Sequence, residues 1–369
     1  MSSVVLEEKE EIRDNKKVNN GKQKKTKKNG KRWLKRLGLF CLSMVAIGLV
    51  VLDVLLYGPN YKFRDWLVTN AMTTMNHRYL ATWFYSDDEI AEVMSRNRVV
   101  EPDANTDTSL ITVGELDNSK EVVYANEYDR QILEREEGQE FKVIEIHEDN
   151  YDAYLAAIYD PSRISVATTK YLHSSGQYLT DIAKENGASV AINGGGFSDA
   201  GGNGSGGTPL GITFSNGEFV YNDGAYNETF SFVGFNNENK LVLGKYTREE
   251  AEALGIRDAV SFSPFLIVNG EASFIEGNGG WGVAPRTVIG QRQDGVVLFL
   301  VVDGRRIDKQ GAGMQDLVEI MQRYGAYNAA NLDGGTSSAL VVNGEIVNDP
   351  MDASGNHRTR PVATSFIFK

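Results

Sequence analysis

The apolar positions of this chain fall into one long block, one stretch with helical spacing and a longer region with strand-like alternation. Leu37 to Tyr57, LGLFCLSMVAIGLVVLDVLLY, runs 21 residues with a single charge, Asp53. A helix of that length rises about 30 Å, the thickness of a bilayer core. The stretch predicts an uncleaved transmembrane anchor, because a cleaved signal has a shorter apolar run and a small-residue cleavage site that LLYGPNYKF lacks. In residues 60–98, Leu67, Ala71, Met75 and Tyr79 recur every four positions, and SDDEIAEVMSR opens on Ser86 followed by acids, a helix start. This predicts a membrane-proximal helical stalk in which Trp66, Met72, Met75 and Trp83 serve packing. Residues 101–140 are polar, acidic and aperiodic, and are expected to form a linker with at most short strands.

From residue 141 the pattern changes. FKVIEIHE alternates as a strand, PSRISVATT is a second, and SVAIN and GVVLFLVVDGR are buried strands. SGQYLTDIAKENGA and GAGMQDLVEIMQRYGA are helices closed by Gly187 and Gly325. YNAANLDGG, SALVVNGEIV and TSFIFK complete the strands, with a hairpin turn at Asn343–Gly344. Hairpins mixed with two strand–helix–strand passages predict an α+β domain of mixed, largely antiparallel sheets with packed helices. The expected order is a basic tail at 1–36, an anchor at 37–57, stalk and linker at 58–140 and the main domain at 141–369.

Charge adds orientation. Residues 1–36 hold 13 Lys/Arg against 5 Asp/Glu, and the remainder holds 25 against 45. Lys24, Lys25, Lys27, Lys28, Lys31, Arg32, Lys35 and Arg36 crowd the N-terminal flank of the anchor, so the positive-inside rule keeps the tail cytoplasmic and the main domain extracytoplasmic. The tail suits anionic lipid, and the acidic body argues against a nucleic-acid partner. The one cysteine, Cys41, excludes an intramolecular disulfide and a Cys-based zinc cluster. Phe40 stands where a lipoprotein signal needs a small residue. The histidines His77, His147, His173 and His357 have no metal-pair spacing.

Four corners carry candidate chemistry, each a polar group at the end of an apolar segment. AINGGGFSDAGGNGSGGTPLG places Asn193 at a strand end before a loop in which nine of the eighteen residues from Gly194 to Gly211 are glycine. Such a loop is either flexible surface or a place where the N–H groups of Gly194 and Gly195 approach an anionic or sugar ligand. In GVAPRTVIG, Arg286 enters an apolar strand, which calls for either a structural salt bridge or an anionic ligand. FLVVDGRR places Asp303 and Arg305 after five apolar residues. AANLDGGTSSALV places Asn331, Asp333, Gly334, Gly335, Ser337 and Ser338 at another strand end. Each Asp-Gly alone reads as a turn. Two of them with two arginines and an asparagine at comparable strand ends point to a shared site. The serines are expected to bind a ligand or cap a segment, since neither sits in a Gly-x-Ser-x-Gly motif.

NGGGF at 193–197, PRT at 285–287, DGR at 303–305, NLDGG-SS at 331–338, NDP, and Arg360 two residues before Val362 resemble, in this order, the phosphodiester glycosidase family of uncovering-enzyme type. The resemblance covers roughly residues 141–369 and is nearest to bacterial membrane-anchored members labelled exopolysaccharide-biosynthesis proteins, whose stalk TTMNHRYLATWFYS also resembles. Thr336 stands where many relatives have a third glycine, which is expected to alter loop flexibility and not chemistry. The resemblance implies hydrolysis of the bond between a sugar's anomeric carbon and a phosphodiester. Arg286, Arg305, Arg360 and the glycine loops would receive the phosphate, Asn193 and the serines would position the sugar, and Asp303 or Asp333 would act as base or nucleophile. Asp316 and Glu319 are reserve candidates. The substrate implied is glycosyl-phosphate or polysaccharide at the cell surface. No cofactor is required, although the Asp- and Asn-rich loops would tolerate calcium. The rival expectation is a non-catalytic polysaccharide-binding or assembly factor, and a metal-dependent phosphoesterase is disfavoured by the lack of a His/Asp cluster.

Overall fold

The computed structural model describes residues 2–59, 61–74, 77–114, 123–198, 206–225 and 227–369, the side chains of 2–12 and 21–32 standing outside that description. Met75 and residues 199–205 of the glycine-rich stretch therefore lie outside the described residues. The chain divides into two units, Met1–Arg64 and Asp65–Lys369. In the first, α1 (Ser2–Tyr57) takes in the basic tail and the apolar block as one helix. Its stretch Trp33–Tyr57 is long and apolar enough to cross a membrane, and encloses the expected span of 37–57.

The second unit takes up the remainder of α2 (Tyr61–Met72) from Asp65, then α3 (Tyr79–Thr82) and α4 (Asp87–Arg96). Helix α4 begins where Ser86 Oγ accepts from Glu89 N at 3.3 Å and Glu89 Oε2 accepts from Ser86 N at 2.8 Å, a reciprocal cap. The segment read as a stalk is fastened to the sheets. Asp65 accepts from Arg96 Nε and Nη2, at 3.0 and 2.6 Å, and from Asn97 Nδ2 at 3.0 Å. Asn97 Oδ1 accepts from Asn278 N at 2.9 Å, and Asn278 Nδ2 reaches Thr69 Oγ1 at 3.0 Å. Arg98–Val100 then pairs with Phe274–Glu276. The segment read as a linker contributes a short 3₁₀ turn and α5 (Glu127–Leu133), whose Ile132 is fully buried. A helix of seven residues spans too little sequence for its period to show in a charged segment.

A seven-stranded sheet forms the centre, in the order Glu271–Ala272, Phe265–Val268, Ala326–Asn331, Arg286–Arg292, Val297–Val302, Asp152–Ile158, Phe141–His147. Among the described residues every strand pairing is antiparallel. The two strand–helix–strand passages satisfy this by skipping a place. The strands flanking α8 (Met314–Arg323) have Arg286–Arg292 between them, and those flanking α6 (Leu179–Asn186) have Thr364–Phe368 between them. Gly187 closes α6 in the left-handed region at φ 65°, where a residue without Cβ is unstrained.

The strand Val297–Val302 explains its own unbroken apolar run. Leu298, Leu300 and Val302 pack against Leu317 and Met321 of α8, whereas Val297, Phe299 and Val301 face the other layer. That layer consists of two five-stranded sheets. One runs Glu345–Ile346, Leu340–Val342, Val190–Asn193, Thr364–Phe368, Ile164–Thr168, with α6 on its outer face; the other runs Leu241–Tyr246, Phe230–Asn236, Ile256–Ser261, Ile212–Ser215, Glu218–Asn222, beside α7 (Arg248–Ala253). Phe366 sits where all three sheets meet, its ring 6.3 Å from that of Phe235 and 6.5 Å from that of Phe299. Phe366→Ala is expected to lower the stability of the folded body by about 3–5 kcal/mol in urea titration. A loss under about 1 kcal/mol would show that the three sheets do not share this core.

Candidate active site

Strand register sets up the site. Arg286 lies opposite Val302, and Val288 lies opposite Asn331, so Arg286, Asp303 and the 332–338 turn arrive at one end of the central sheet. The neighbouring sheet ends there too, at Asn193. This side chain joins the two. Its Nδ2 donates to the carbonyl of Asp333 at 2.6 Å, and its Oδ1 accepts from Thr287 Oγ1 at 2.7 Å and from Ala339 N at 3.3 Å.

A cavity of about 600 Å³ opens at this end, and Arg286, Arg305, Arg360 and Asp333 all line it. Arg286 is buried and held by backbone carbonyls: Nη2 donates to Trp281 O at 2.6 Å and Gly282 O at 2.8 Å, and Nε to Ala312 O at 3.3 Å. Among the described residues it has no carboxylate partner. Arg305, at φ 64°, donates through Nη1 to Thr336 Oγ1 at 2.7 Å and Met351 O at 3.0 Å. Arg360 lies over the Phe197 ring, donating from Nε to Ser337 Oγ at 2.7 Å and from Nη2 to Asp333 Oδ2 at 3.3 Å. Gly334 and Gly335 permit the approach. A Cβ on Gly334 would stand 2.9 Å from Pro285 O, and one on Gly335 would stand 2.8 Å from Arg305 Nη2.

The remaining expected residues are placed behind this cavity. Asp303 is 2% exposed and does not line it; its carboxylate accepts from Asn348 Nδ2 at 2.7 Å and from Asp349 N at 2.8 Å. It thereby holds the loop that carries Met351. Gly194 N is taken by Thr364 O at 2.9 Å and Gly195 N by Thr364 Oγ1 at 3.0 Å, so the two glycines serve close packing of the sheet and Gly196 is the one that reaches the cavity. Asn331 donates to Ser263 O at 3.3 Å; its Oδ1 and the hydroxyl of Ser338 are buried with no hydrogen-bond partner among the described residues. Asp316 caps α8 by accepting from Gly313 N at 2.8 Å, and Glu319 sits on the exposed helix face. Among the described residues no three or more His, Cys, Asp or Glu side chains gather as a metal site.

Residues 186–369 match the sequence model of a family described as phosphodiester glycosidase. That part of the chain belongs to the phosphodiester glycosidase family. The match begins later than the resemblance read over 141–369. A SPbeta prophage-derived uncharacterized protein of Bacillus subtilis, YomE, is 28% identical over 205 residues, covering 53% of this chain and 30% of that protein. The bovine N-acetylglucosamine-1-phosphodiester alpha-N-acetylglucosaminidase is 33% identical over 70 residues, 19% of this chain and 13% of the enzyme. The chain thus spans less than a third of the length of these curated relatives. The zebrafish catalytic domain of the same-named enzyme, solved auto-inhibited by pro-peptide, shares the fold at a TM-score of 0.51 and 22% identity, over 62% of this chain and 81% of that one.

In this phosphodiester glycosidase domain the charges lining the cavity are unbalanced among the described residues. Burial and the nearby Arg305 push the Arg286 guanidinium down to about 10, still fully charged at neutral pH. Burial and Arg360 lower Arg305 as well. Burial raises the Asp333 carboxyl above its ordinary value, against the pull of Arg360, Ser337 and the Gly334 N–H. Burial raises Asp303 too, with Asn348 and the Asp349 N–H opposing. Among the described residues, three guanidiniums against one carboxylate favour an anionic occupant. The sequence reading missed Thr336 as a partner of Arg305, treating it only as a loop residue, and missed Phe262 and Trp281, which line the cavity. The Gly-Gly-Trp-Gly run before Pro285 was the available signal for Trp281.

Asp303→Asn leaves one oxygen for two donors and is expected to cost about 1–3 kcal/mol in thermal or urea unfolding. Unchanged stability with complete loss of turnover would instead make Asp303 a participant in the chemistry.

Proposed function

We propose that the protein hydrolyses the sugar–phosphate glycosidic bond of glycosyl-1-phosphodiesters, anchored in the cell membrane by residues 37–57 with its N-terminus cytoplasmic and its cavity extracytoplasmic. The observation that carries this reading is the convergence of Arg286, Arg305 and Arg360 on the cavity in which Asp333 is the one carboxylate among the described residues. Arg286 and Arg305, fixed by carbonyl and hydroxyl oxygens, keep their charge for the phosphate. Asp333, held in place through its backbone by Asn193 and through its side chain by Arg360, stands ready as base or nucleophile at the anomeric carbon.

A single carboxylate among the described residues of the cavity suits this bond. Hydrolysis breaks the C1–O bond, adds water to the sugar and releases a phosphate monoester. That leaving group departs as a stabilised anion whose second pKa is near 6, so it needs little help from a general acid. Glycosyl-phosphate linkages in cell-surface or secreted polysaccharide are the substrates we propose, in keeping with the basic flank and apolar helix of the N-terminal unit. The same single carboxylate is also compatible with a non-catalytic polysaccharide-binding factor, and turnover separates the two.

On a panel of sugar-1-phosphodiesters the protein is expected to release free sugar and intact phosphate monoester. Asp333→Asn should lower kcat by at least about a hundredfold while the fold persists. Release of sugar phosphate would mean P–O cleavage, and binding without turnover on any sugar would leave a binding protein. The pH profile adds a second test. The working form of Asp333 is the carboxylate, whose pKa burial has raised and Arg360 pulls back. Arg360→Gln is therefore expected to move the acid limb of kcat/KM to higher pH; a limb that stays in place would remove Asp333 from the rate-determining ionisation.

A further inference from the structure

We infer that the apolar part of the cavity wall, beside the arginines, binds a hydrocarbon chain, so that the substrate is an amphiphile: a sugar and an alkyl or isoprenoid group joined through one phosphodiester. The inference rests on reading the arginine cluster as a phosphodiester site.

A third of the residues lining the cavity come from well before the family match. Trp66, Leu67 and Ala71 of α2, with Leu80 of α3, line the same cavity as Phe262, Trp281, Val283 and Arg286. Three of the four polar side chains that residues 66–80 bring to this wall, Asn70, Thr73 and Thr74, are turned to the protein's own backbone, and the His77 imidazole is the fourth. Asn70 donates to Trp66 O at 2.7 Å and accepts from Val283 N at 3.2 Å. Thr73 donates to Thr69 O at 2.9 Å, and Thr74 to Ala71 O at 2.9 Å while accepting from His77 N at 3.1 Å. Apart from His77, what this segment offers the cavity is chiefly carbon. A sugar ring would call for hydrogen-bonding groups around its edge, whereas an alkyl chain asks only for apolar surface.

Four large apolar side chains of the lining remain partly open: Trp66 at 43%, Leu210 at 43%, Val283 at 38% and Leu80 at 37% exposed. An occupant that covered them would gain in proportion to the apolar area removed from water. The wall is also rigid, since the Asp65–Arg96–Asn97–Asn278–Thr69 chain of hydrogen bonds ties α2 to the sheet body. An apolar surface continuous with a cluster of three arginines fits a molecule that is anionic at one end and hydrocarbon at the other.

The test is isothermal titration of the full-length protein in nanodiscs, corrected with empty discs, using dimethyl phosphate, octyl methyl phosphate and glucosyl methyl phosphate. We expect octyl methyl phosphate to bind at least about tenfold tighter than dimethyl phosphate, given roughly fourfold per fully buried methylene and a wall that is partly open. Trp66→Ala and, separately, Leu210→Ala should shrink that preference several-fold and leave dimethyl phosphate unchanged. Equal affinity for the two simple diesters would overturn the inference. So would tighter binding of the glucosyl diester through Trp66, which would make the wall a sugar platform. Binding of octyl methyl phosphate that is unaltered in Arg286→Gln would sink the phosphodiester reading while leaving the chain preference standing, so the two failures are distinguishable.

Discussion

One buried amide decides where the candidate catalytic carboxylate stands. Asn193 is the last residue of a strand in one sheet, yet it grips the Asp333 carbonyl, the Thr287 hydroxyl and the Ala339 N–H, groups on three other segments. With no exposure, it has no water to fall back on, so each of these partners is held at a fixed place. The Asp333 N–H, donating to Gly194 O at 3.1 Å, closes the same junction from the other side. Everything at the sheet end, from the 332–338 turn to the arginines that lean on it, takes its position from this joint.

The arginines illustrate a second constraint. A guanidinium fixed by a carboxylate is held but also neutralised. A guanidinium fixed by carbonyl and hydroxyl oxygens is held and remains charged. Arg286 and Arg305 are of the second kind, and among the described residues Arg360 is the one hydrogen-bonded to Asp333. Their mutual repulsion is unfavourable, is offset by the packing of the surrounding sheets, and would be relieved by an anion.

The legibility of this molecule from its sequence follows the range of the interactions involved. Helix α6 with its closing Gly187, the buried strand Val297–Val302 and the Asn343–Gly344 turn each depend on neighbours a few residues away, and each could be read directly. The sheet spanning 212–261 went unread because strands such as Phe230–Asn236 are buried on both faces and show no alternation. Asp303 and Asp333 look alike locally, an Asp-Gly after an apolar approach. They part company because Asn348 and Asp349, some 45 residues downstream of Asp303, take up its carboxylate. Nothing near Trp66 in sequence announces that it shares a cavity with Arg286, a juxtaposition made by tertiary contacts alone.

That juxtaposition has an evolutionary corollary. The charged groups of the cavity come from the family-matched region 186–369, whereas one side of its apolar wall comes from residues 66–80. Substitutions in the early segment can thus change which molecules are admitted without disturbing the groups that would act on them. A lineage could retarget such a protein by rewriting a helix and a turn, and keep its chemistry through the change.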